Sequence, residues 1–455
     1  MTLFRGDFVH FPSLGEASIL RDHLLAVDDH GYISHFETST SDKSYCLLDT
    51  HPSCLTTIAT GSFVMPSFCD LHLHAPQYLY QGTGLDLPLM EWLFEYAYKA
   101  ELRIDSDPQL ARRVYARLAE RLLELGTGAV MLFGTIKTES NLLLAEAMQN
   151  AGLRAFVGKL SMDKSSIADY SENTPEESLA AARDFIARMQ EFQMRSEPHL
   201  RLVEPVITPR FVPTCSGELL YGLGELAEHT GARVQSHLAE AYDQVAWVRK
   251  ERGKEDYDVF DESKLNTSRT VQAHCTYLSQ TELERLSACR TAVAHCPLSN
   301  AYFSARPFPL REALSVGVRV GLGTDIAGGY SPDIMSAMRW AVGVARMRDG
   351  ERVDGGKQSE SPRRIDWVES MYLATRGGAK ALDLTSGVFV VGAPFDAQCI
   401  RLFDPKSLEG VGPLDFFDLH ESTELDFEMI EKWWCIGDVQ NRAGVWIQGK
   451  SVGIW

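Results

Sequence analysis

Between residues 63 and 385 the chain alternates short apolar runs with longer segments in which apolar residues recur at helical spacing. The short runs have the length and composition of buried strands. The runs predicted as strands are Val64–His72, Gly128–Phe133, Ala155–Leu160, Leu202–Thr208, Ala232–His237, Thr270–His274, Thr291–His295 and Val318–Gly323. The segments between them are typical of helices, as in Pro108–Leu125, which ends before Gly126.

This alternation of strands and helices predicts an α/β fold, a TIM-like (β/α)8 barrel. The alternative is an open, doubly wound parallel sheet. No predicted strand is followed by a glycine-rich phosphate loop, which makes the doubly wound sheet the less favoured of the two.

Both ends of the chain differ from this alternating pattern and consist of short strand-like runs separated by turns. Ile19–Val27 near the start and Arg442–Ile447 near the end are examples. We expect residues 1–62 and 386–455 to form one small β-sandwich domain beside a barrel over residues 63–385.

The composition limits which kinds of binding partner and which cellular compartment fit this chain. The 455-residue chain carries a formal net charge of −18, which argues against a nucleic-acid partner. No run approaches the roughly 20 apolar residues of a membrane span. Arg5 and Asp7 are not followed by an apolar secretory core, and the nine cysteines include no Cys-x-x-Cys pair. These features predict a cytoplasmic protein with free thiols.

Polar residues of a restricted kind lie where the predicted strands end. In the first strand, Asp70, His72 and His74 occupy alternate positions and share one face, where two imidazoles can bind one zinc or iron ion. Reactive groups of a barrel gather at the carboxyl ends of its strands. The other strand ends supply Arg210, Phe211, His237, Glu240, His274, His295 and Asp325. A lone histidine is usually a packing residue, but this many at strand ends predict a common site.

His72, His74, His237 and Asp325 together offer three nitrogens and one carboxylate, a set that leaves room for water on a metal ion. Three thiols, Cys69, Cys275 and Cys296, adjoin these polar residues. Because adjacent residues of a strand point to opposite faces, the thiols are predicted to pack outward rather than bind metal. Asp70 is predicted to pair inside the barrel and His295 to orient Asp325.

The order of these motifs resembles the amidohydrolase superfamily. Longer stretches resemble guanine deaminases within it: His74 to Tyr78, Asp86 to Leu93, Thr208 to Phe211 and Gly321 to Gly329. The resemblance covers most of residues 60–400. Ser67, where the family usually has Gly, and Ala239, where relatives tend to carry Ser, depart from it without removing a ligand or a catalytic group.

The resemblance implies hydrolytic deamination of free guanine to xanthine and ammonia by a metal-activated hydroxide. It adds His274 to the metal set of His72, His74, His237 and Asp325, either as a ligand or as a contact to the metal-bound water. Glu240 and Asp325 are then the catalytic proton carriers. The predicted substrate contacts are His74, Gln77, Arg210, Phe211, His237, Glu240 and Asp325. A homodimer is also implied by the family.

We expect one Zn²⁺ per chain, with iron as the alternative. Some relatives hold two metals through a carbamylated lysine on the fourth strand, but that strand ends in Arg210, which cannot take this part. Lys159, on the third strand, is predicted to form a structural ion pair instead.

Other functions remain open at this point. A related amidohydrolase acting on another purine, a pterin or a triazine would share the metal set and differ at pocket residues such as Gln77 and Arg210. A barrel that has lost catalysis and serves as a scaffold would usually lack ligands, and this chain keeps them. Zinc deaminases that act on cytidine or on flipped bases use His-x-Glu with Pro-Cys-x-x-Cys, a pattern missing from this sequence.

Overall fold

A computed structural model describes residues 1–452 apart from residues 166, 168–169, 355–361 and 419–421. The strands are β1 Thr2–His10, β2 Ser18–Val27, β3 Ile33–Thr38, β4 Leu55–Thr57, β5 Ser62–Pro66, β6 Phe68–His74, β7 Thr127–Phe133, β8 Arg154–Ser161, β9 Val203–Pro209, β10 Arg233–Leu238, β11 Thr270–His274, β12 Ala292–His295, β13 Arg319–Leu322, β14 Ala397–Arg401, β15 Arg442–Ile447 and β16 Lys450–Ser451.

The helices separate these strands along the middle of the chain. They are α1 Asp42–Thr50, α2 Leu89–Trp92, α3 Tyr98–Ser106, α4 Pro108–Glu124, α5 Thr138–Ala151, α6 Pro175–Gln193, α7 Gly217–Thr230, α8 Tyr242–Arg252, α9 Asp256–Glu262, α10 Gln280–Cys289, α11 Pro297–Ser299, α12 Leu310–Ser315, α13 Ile334–Asp354, α14 Trp367–Tyr372, α15 Gly378–Ala381 and α16 Phe427–Ile436. Across the described ranges, no helix combines the length and the apolar character that a bilayer span requires.

Strands β6 to β13 form one sheet in which neighbours in the chain are neighbours in space and run parallel. Beyond β13 the backbone N–H of Asp325 donates to the carbonyl of His72, and the N–H of His74 donates to the carbonyl of Ile326, both at 2.8 Å. These bonds bring the last strand back to the first. The predicted (β/α)8 barrel is confirmed, and the seven strands after β6 lie within one residue of their predicted bounds.

The predicted strand Val64–His72 is two strands in the structure. Ser62–Pro66 pairs with β14 and β1, outside the barrel. Hydrogen bonding changes partner at the next two residues, since the N–H of Ser67 donates to the carbonyl of Asp396 and that of Phe68 donates to the carbonyl of Gly126. Apolar periodicity alone did not reveal this junction, because both strands are fully buried.

The two chain ends share a second sheet with the strand order β16-β15-β14-β5-β1-β2-β3, in which β4 lies beside β1. Phe4, near the amino end, packs on Phe395 and Trp446 with ring centroids 4.8 and 5.3 Å away. Aromatic contacts between distant parts of the chain therefore stabilise this sheet.

Several helices begin at capping residues that are recognisable in the sequence. Thr174 caps α6, which begins with Pro175, and accepts a hydrogen bond from the N–H of Glu177. Ser279 and Glu282 form a reciprocal capping box at the start of α10. Such caps fix where each helix begins and so where the preceding loop, which carries site residues, must end.

Candidate metal centre and substrate pocket

A cavity with about 360 Å³ of empty space lies at the carboxyl ends of the barrel strands. Besides Ser299, its polar lining comes from six residues: His74, Gln77, Arg210, His237, Glu240 and Asp325. All six were predicted as substrate contacts, and the seventh, Phe211, lines the cavity as well. The barrel thus collects residues that are far apart in the chain; Gln77 and Ala327, for example, are 250 positions apart and share a hydrogen bond.

Three predicted metal ligands, His72, His74 and His237, have ring nitrogens within 4.8 Å of one another. The Nε2 atoms of His74 and His237 are 3.0 Å apart, and His72 Nε2 lies 3.1 Å from an Asp325 oxygen. His237 Nδ1 is 2.7 Å from the carbonyl of Arg210. Because a carbonyl only accepts, Nδ1 carries the proton and Nε2 keeps a free lone pair.

His274 lies on the other side of the same group. Its Nε2 is 3.8 Å from Asp325 and 3.6 Å from Glu240, and its Nδ1 is 2.9 Å from the side-chain oxygen of Asn300. Both His72 Nε2 and His274 Nε2 are buried without a hydrogen-bond partner. Buried lone pairs that converge without partners are what a metal ion satisfies, so the residues present fit one.

The electrostatics of these histidines suit metal binding. Burial lowers the pKa of His72, His74 and His237 well below the ordinary value, and neighbouring imidazoles lower it further. Burial also lowers the pKa of His274. Neutral imidazoles are therefore available as ligands across the physiological pH range.

The two carboxylic acids of the cavity are shifted in the opposite direction. Burial, followed by the charge of Asp325, raises the pKa of Glu240 well above its usual range. Burial likewise raises the pKa of Asp325. Glu240 follows Ala239, whose φ is 47°, so the chain leaves the β10 direction immediately before this residue. Because its pKa is raised, the Glu240 carboxyl is able to hold a proton beside the cluster of histidines.

Asp70 explains how Asp325 reaches its position. The N–H and the hydroxyl of Thr324 both donate to the Asp70 carboxylate, the N–H at 3.0 Å. Asp70 also accepts from the N–H of His72 at 3.2 Å. It therefore pairs inside the barrel, as predicted, and connects the first strand to the segment that carries Asp325.

Arg210 and Gln77 share a buried partner that the sequence did not reveal, Glu101 of α3. Arg210 donates to both Glu101 oxygens, at 2.5 and 3.0 Å, and Gln77 Nε2 donates to Glu101 at 3.1 Å. Tyr170 donates its hydroxyl to the same carboxylate. Gln77 Oε1 in turn accepts from the N–H of Ala327. Two partners of opposite kind fix the Gln77 amide in one orientation, with one N–H and one lone pair left over.

Aromatic and apolar side chains complete the cavity. Phe133 packs on the rings of His74 and His237 with centroids 4.8 and 4.6 Å away, and so supports the two imidazoles. The further lining residues that were not assigned roles from the sequence are Leu89, Trp92, Leu93, Ser299, Phe303 and Gly328. The first three fall within the resembling stretch Asp86 to Leu93, which was the available signal.

Two predictions about neighbouring side chains need correction. The thiol of Cys296 comes within 4.8 Å of the ring nitrogens of His72 and His274 instead of packing away from them. Strand β12 ends at His295, so strand alternation no longer governs Cys296. Burial raises the pKa of this thiol well above its usual range, which keeps it protonated and a poor ligand. The imidazole of His295 packs on Phe308, 5.3 Å between centroids, and lines a different cavity instead of orienting Asp325.

Lys159 behaves as predicted. It is buried and forms an ion pair with Glu172, and its ammonium also donates to the carbonyl of Leu160 at 2.8 Å. It is thus engaged in a structural pair on β8.

Comparison with known proteins places this geometry in context. Residues 63–452 match the model of the amidohydrolase family. The chain is 34% identical to guanine deaminase of Dictyostelium discoideum, over 99% of this chain and 98% of that protein. It is 37% identical to guanine deaminase of Mus musculus, over 99% and 96% respectively. Its fold matches the crystal structure of guanine deaminase from C. acetobutylicum with bound guanine at a TM-score of 0.86 and 28% identity, over 99% of both chains.

Proposed function

This chain belongs to the amidohydrolase family and, within it, to the guanine deaminases, and from that premise we propose that it hydrolyses free guanine to xanthine and ammonia. The observation that carries the proposal is one cavity in which converging imidazoles and Asp325 adjoin Gln77 and Arg210. The first group suits a metal-dependent hydrolase, and the second offers hydrogen bonds that match a purine.

The residues that would hold the metal are His72, His74, His237 and Asp325, with His274 as a further ligand. Nitrogen and carboxylate donors favour zinc, with iron as the alternative, and we propose one ion per chain. When bound, such an ion supplies a water molecule whose pKa falls to about 7. The ion pair of Lys159 supports a single metal, since this residue is committed to Glu172.

Glu240 and Asp325 would move the protons of the reaction. Asp325 takes a proton from the attacking water as the C2–O bond forms. Glu240, whose raised pKa favours the protonated form, donates to N3 of the ring and then helps transfer a proton to the departing amine. Cleavage of the C2–N bond releases ammonia, and the ring keeps the new oxygen as xanthine, so atoms and charge balance.

Gln77 and Arg210 would select guanine. Two guanidinium N–H groups of Arg210 pair with Glu101, and others remain for the O6 oxygen of guanine. Adenine carries an amine at that position, which would leave a buried donor of Arg210 unpaired. Sites of this kind discriminate by about 10⁴–10⁵. Phe211 would pack against the purine face.

We further propose a cytoplasmic homodimer and a division into a barrel, predicted over residues 63–385, and a β domain from both chain ends, predicted over residues 1–62 and 386–455. Because Ser62–Pro66 pairs with β1 and β14, we place the first boundary at Ser67 instead of residue 62. The described cysteines are free thiols, which supports a reducing compartment. The dimer rests on the family resemblance.

The test is an ammonia-release panel on metal-loaded protein with guanine, 8-oxoguanine, adenine, cytosine and a pterin. We expect kcat/KM for guanine to exceed that for adenine by about 10⁴ or more. Preference for a pterin or for 8-oxoguanine would assign the same metal site to another amidohydrolase activity. If none of these compounds released ammonia, the alternative of a scaffold without catalytic activity would be favoured.

A further inference from the structure

A second cavity with about 720 Å³ of empty space lies between the segment that follows β12 and helix α13. It shares no lining residue with the cavity that contains Glu240 and Asp325. Trp340, Val344 and Arg348 recur at four-residue intervals on α13, so they present one helix face to it. Phe308 lies among the residues on the other side.

Two residues in the lining of this cavity carry buried polar atoms that lack hydrogen-bond partners. His295 and Asn300 are only 2% and 3% exposed, yet His295 Nδ1 and Asn300 Nδ2 make no hydrogen bond. A buried polar atom without a partner destabilises the folded protein, and a ligand that supplies the missing hydrogen bond recovers that free energy. A ligand that satisfies Asn300 must therefore supply an acceptor such as an oxygen, since Asn300 Nδ2 only donates.

The charges around the cavity favour an anion. Its charged lining residues are Arg306 and Arg348, although the whole chain has a net charge of −18. Arg348 is paired with Glu312 at 2.8 Å. In the described ranges no carboxylate pairs with Arg306, whose guanidinium lies 5.2 Å from the ring centre of Tyr277. Arg306 therefore has a positive charge available at the edge of an otherwise largely apolar space.

We propose that this cavity is a second ligand site, which binds a small planar aromatic carboxylate or a comparable planar anion. Its aromatic ring packs between Phe308 and Trp340, and its oxygens accept from Asn300 Nδ2 and from Arg306. Asn300 also accepts from His274 Nδ1 at 2.9 Å, so a ligand held by Asn300 alters the orientation of a residue at the metal centre. Only this coupling to turnover rests on the proposed function; binding does not.

The binding experiment uses the metal-loaded full chain and isothermal titration calorimetry with naphthalene-2-carboxylate as the probe. Naphthalene-2-carboxamide, which has the same shape without the charge, is the comparison ligand. We expect saturable binding of one carboxylate per chain and at least tenfold weaker binding of the carboxamide. Arg306→Gln is expected to weaken carboxylate binding at least fivefold.

The location is tested by filling the cavity. Val344→Phe, on the α13 face, is expected to weaken binding at least tenfold, whereas Val391→Phe is the matched control at an exposed valine outside the cavity and leaves affinity unchanged. Circular dichroism establishes that both variants fold. No saturable binding to the wild type, equal affinity for the carboxamide, or undiminished affinity of a folded Val344→Phe variant would each overturn the site.

Coupling is measured as kcat for guanine with and without saturating probe. We expect at least a twofold change in the wild type and none in Val344→Phe. Binding with an unaltered kcat would overturn the coupling through Asn300.

Discussion

Replacing Glu101 by Gln tests whether one buried carboxylate holds both proposed recognition residues. The wild-type side chain is fully buried and accepts from Arg210, Gln77 and Tyr170. Glutamine keeps the shape but removes the charge, which leaves the Arg210 guanidinium buried without a counter-ion. Removal of one partner of a buried ion pair costs about 3–5 kcal/mol, and we expect a loss of that size here.

The free energy of unfolding is measured by urea denaturation of the metal-loaded protein. Glu146→Gln is the matched control, because Glu146 pairs with Arg112 at a similar 2.8 Å but is 43% exposed. An exposed pair contributes no more than about 1 kcal/mol. Arg210→Met and the double variant with Glu101→Gln complete a mutant cycle. Because the double variant has no unpaired buried charge, its loss should be smaller than the sum of the single losses by at least about 2 kcal/mol.

Activity provides an independent readout of the same perturbation. Without the carboxylate, the Gln77 amide keeps only the Ala327 N–H as an unchanged partner, so its orientation toward the substrate is less well fixed. We expect kcat/KM for guanine to fall at least about tenfold in Glu101→Gln, equivalent to about 1.4 kcal/mol. Single losses that add within about 0.5 kcal/mol, or a Glu101→Gln variant no less stable than Glu146→Gln, would refute the reasoning.

Three further predictions concern proton transfer, packing and pH. Glu240→Gln should retain its metal by elemental analysis but lose about 10²–10⁴ in kcat, because it removes the proton donor; a variant within tenfold of the wild type would exclude that role. Phe211→Ala should raise KM for guanine more than it lowers kcat in steady-state kinetics, since it removes packing on the purine; an effect confined to kcat would contradict this. Burial raises the pKa of Asp105 to about 6, so the folded protein binds the extra proton between pH 4 and 6 and stability falls as pH rises through that range. Asp105→Asn should abolish up to about 3 kcal/mol of that decline in urea midpoints compared at pH 4 and pH 7, and an unchanged decline would contradict the assignment.

The barrel was predictable because its strands are buried runs of regular length, bounded by turns. The convergence of the four polar side chains was predictable for a related reason: in a closed parallel barrel, chain order and strand ends already determine which side chains meet. His72, His74, His237 and Asp325 needed no further information. The junction at Ser67 was hidden because two consecutive buried strands share one apolar pattern.

Glu101, Cys296 and His295 show what such reasoning misses. Glu101 lies on a helix, and its approach to Arg210 depends on how α3 packs over the barrel, which no local pattern encodes. Cys296 and His295 lie at or just past the end of a strand, where the alternation of faces stops and backbone torsions decide direction. Contacts between side chains on different loops and layers could therefore not be predicted from the sequence.

Xanthine formation from guanine by metal-free protein titrated with zinc tests whether one metal ion at the strand ends supports deamination. We expect the rate to rise linearly with added zinc and to reach its plateau at one equivalent per chain. Fully loaded, folded protein that forms no xanthine, or a rate that rises until two equivalents are bound, would contradict it.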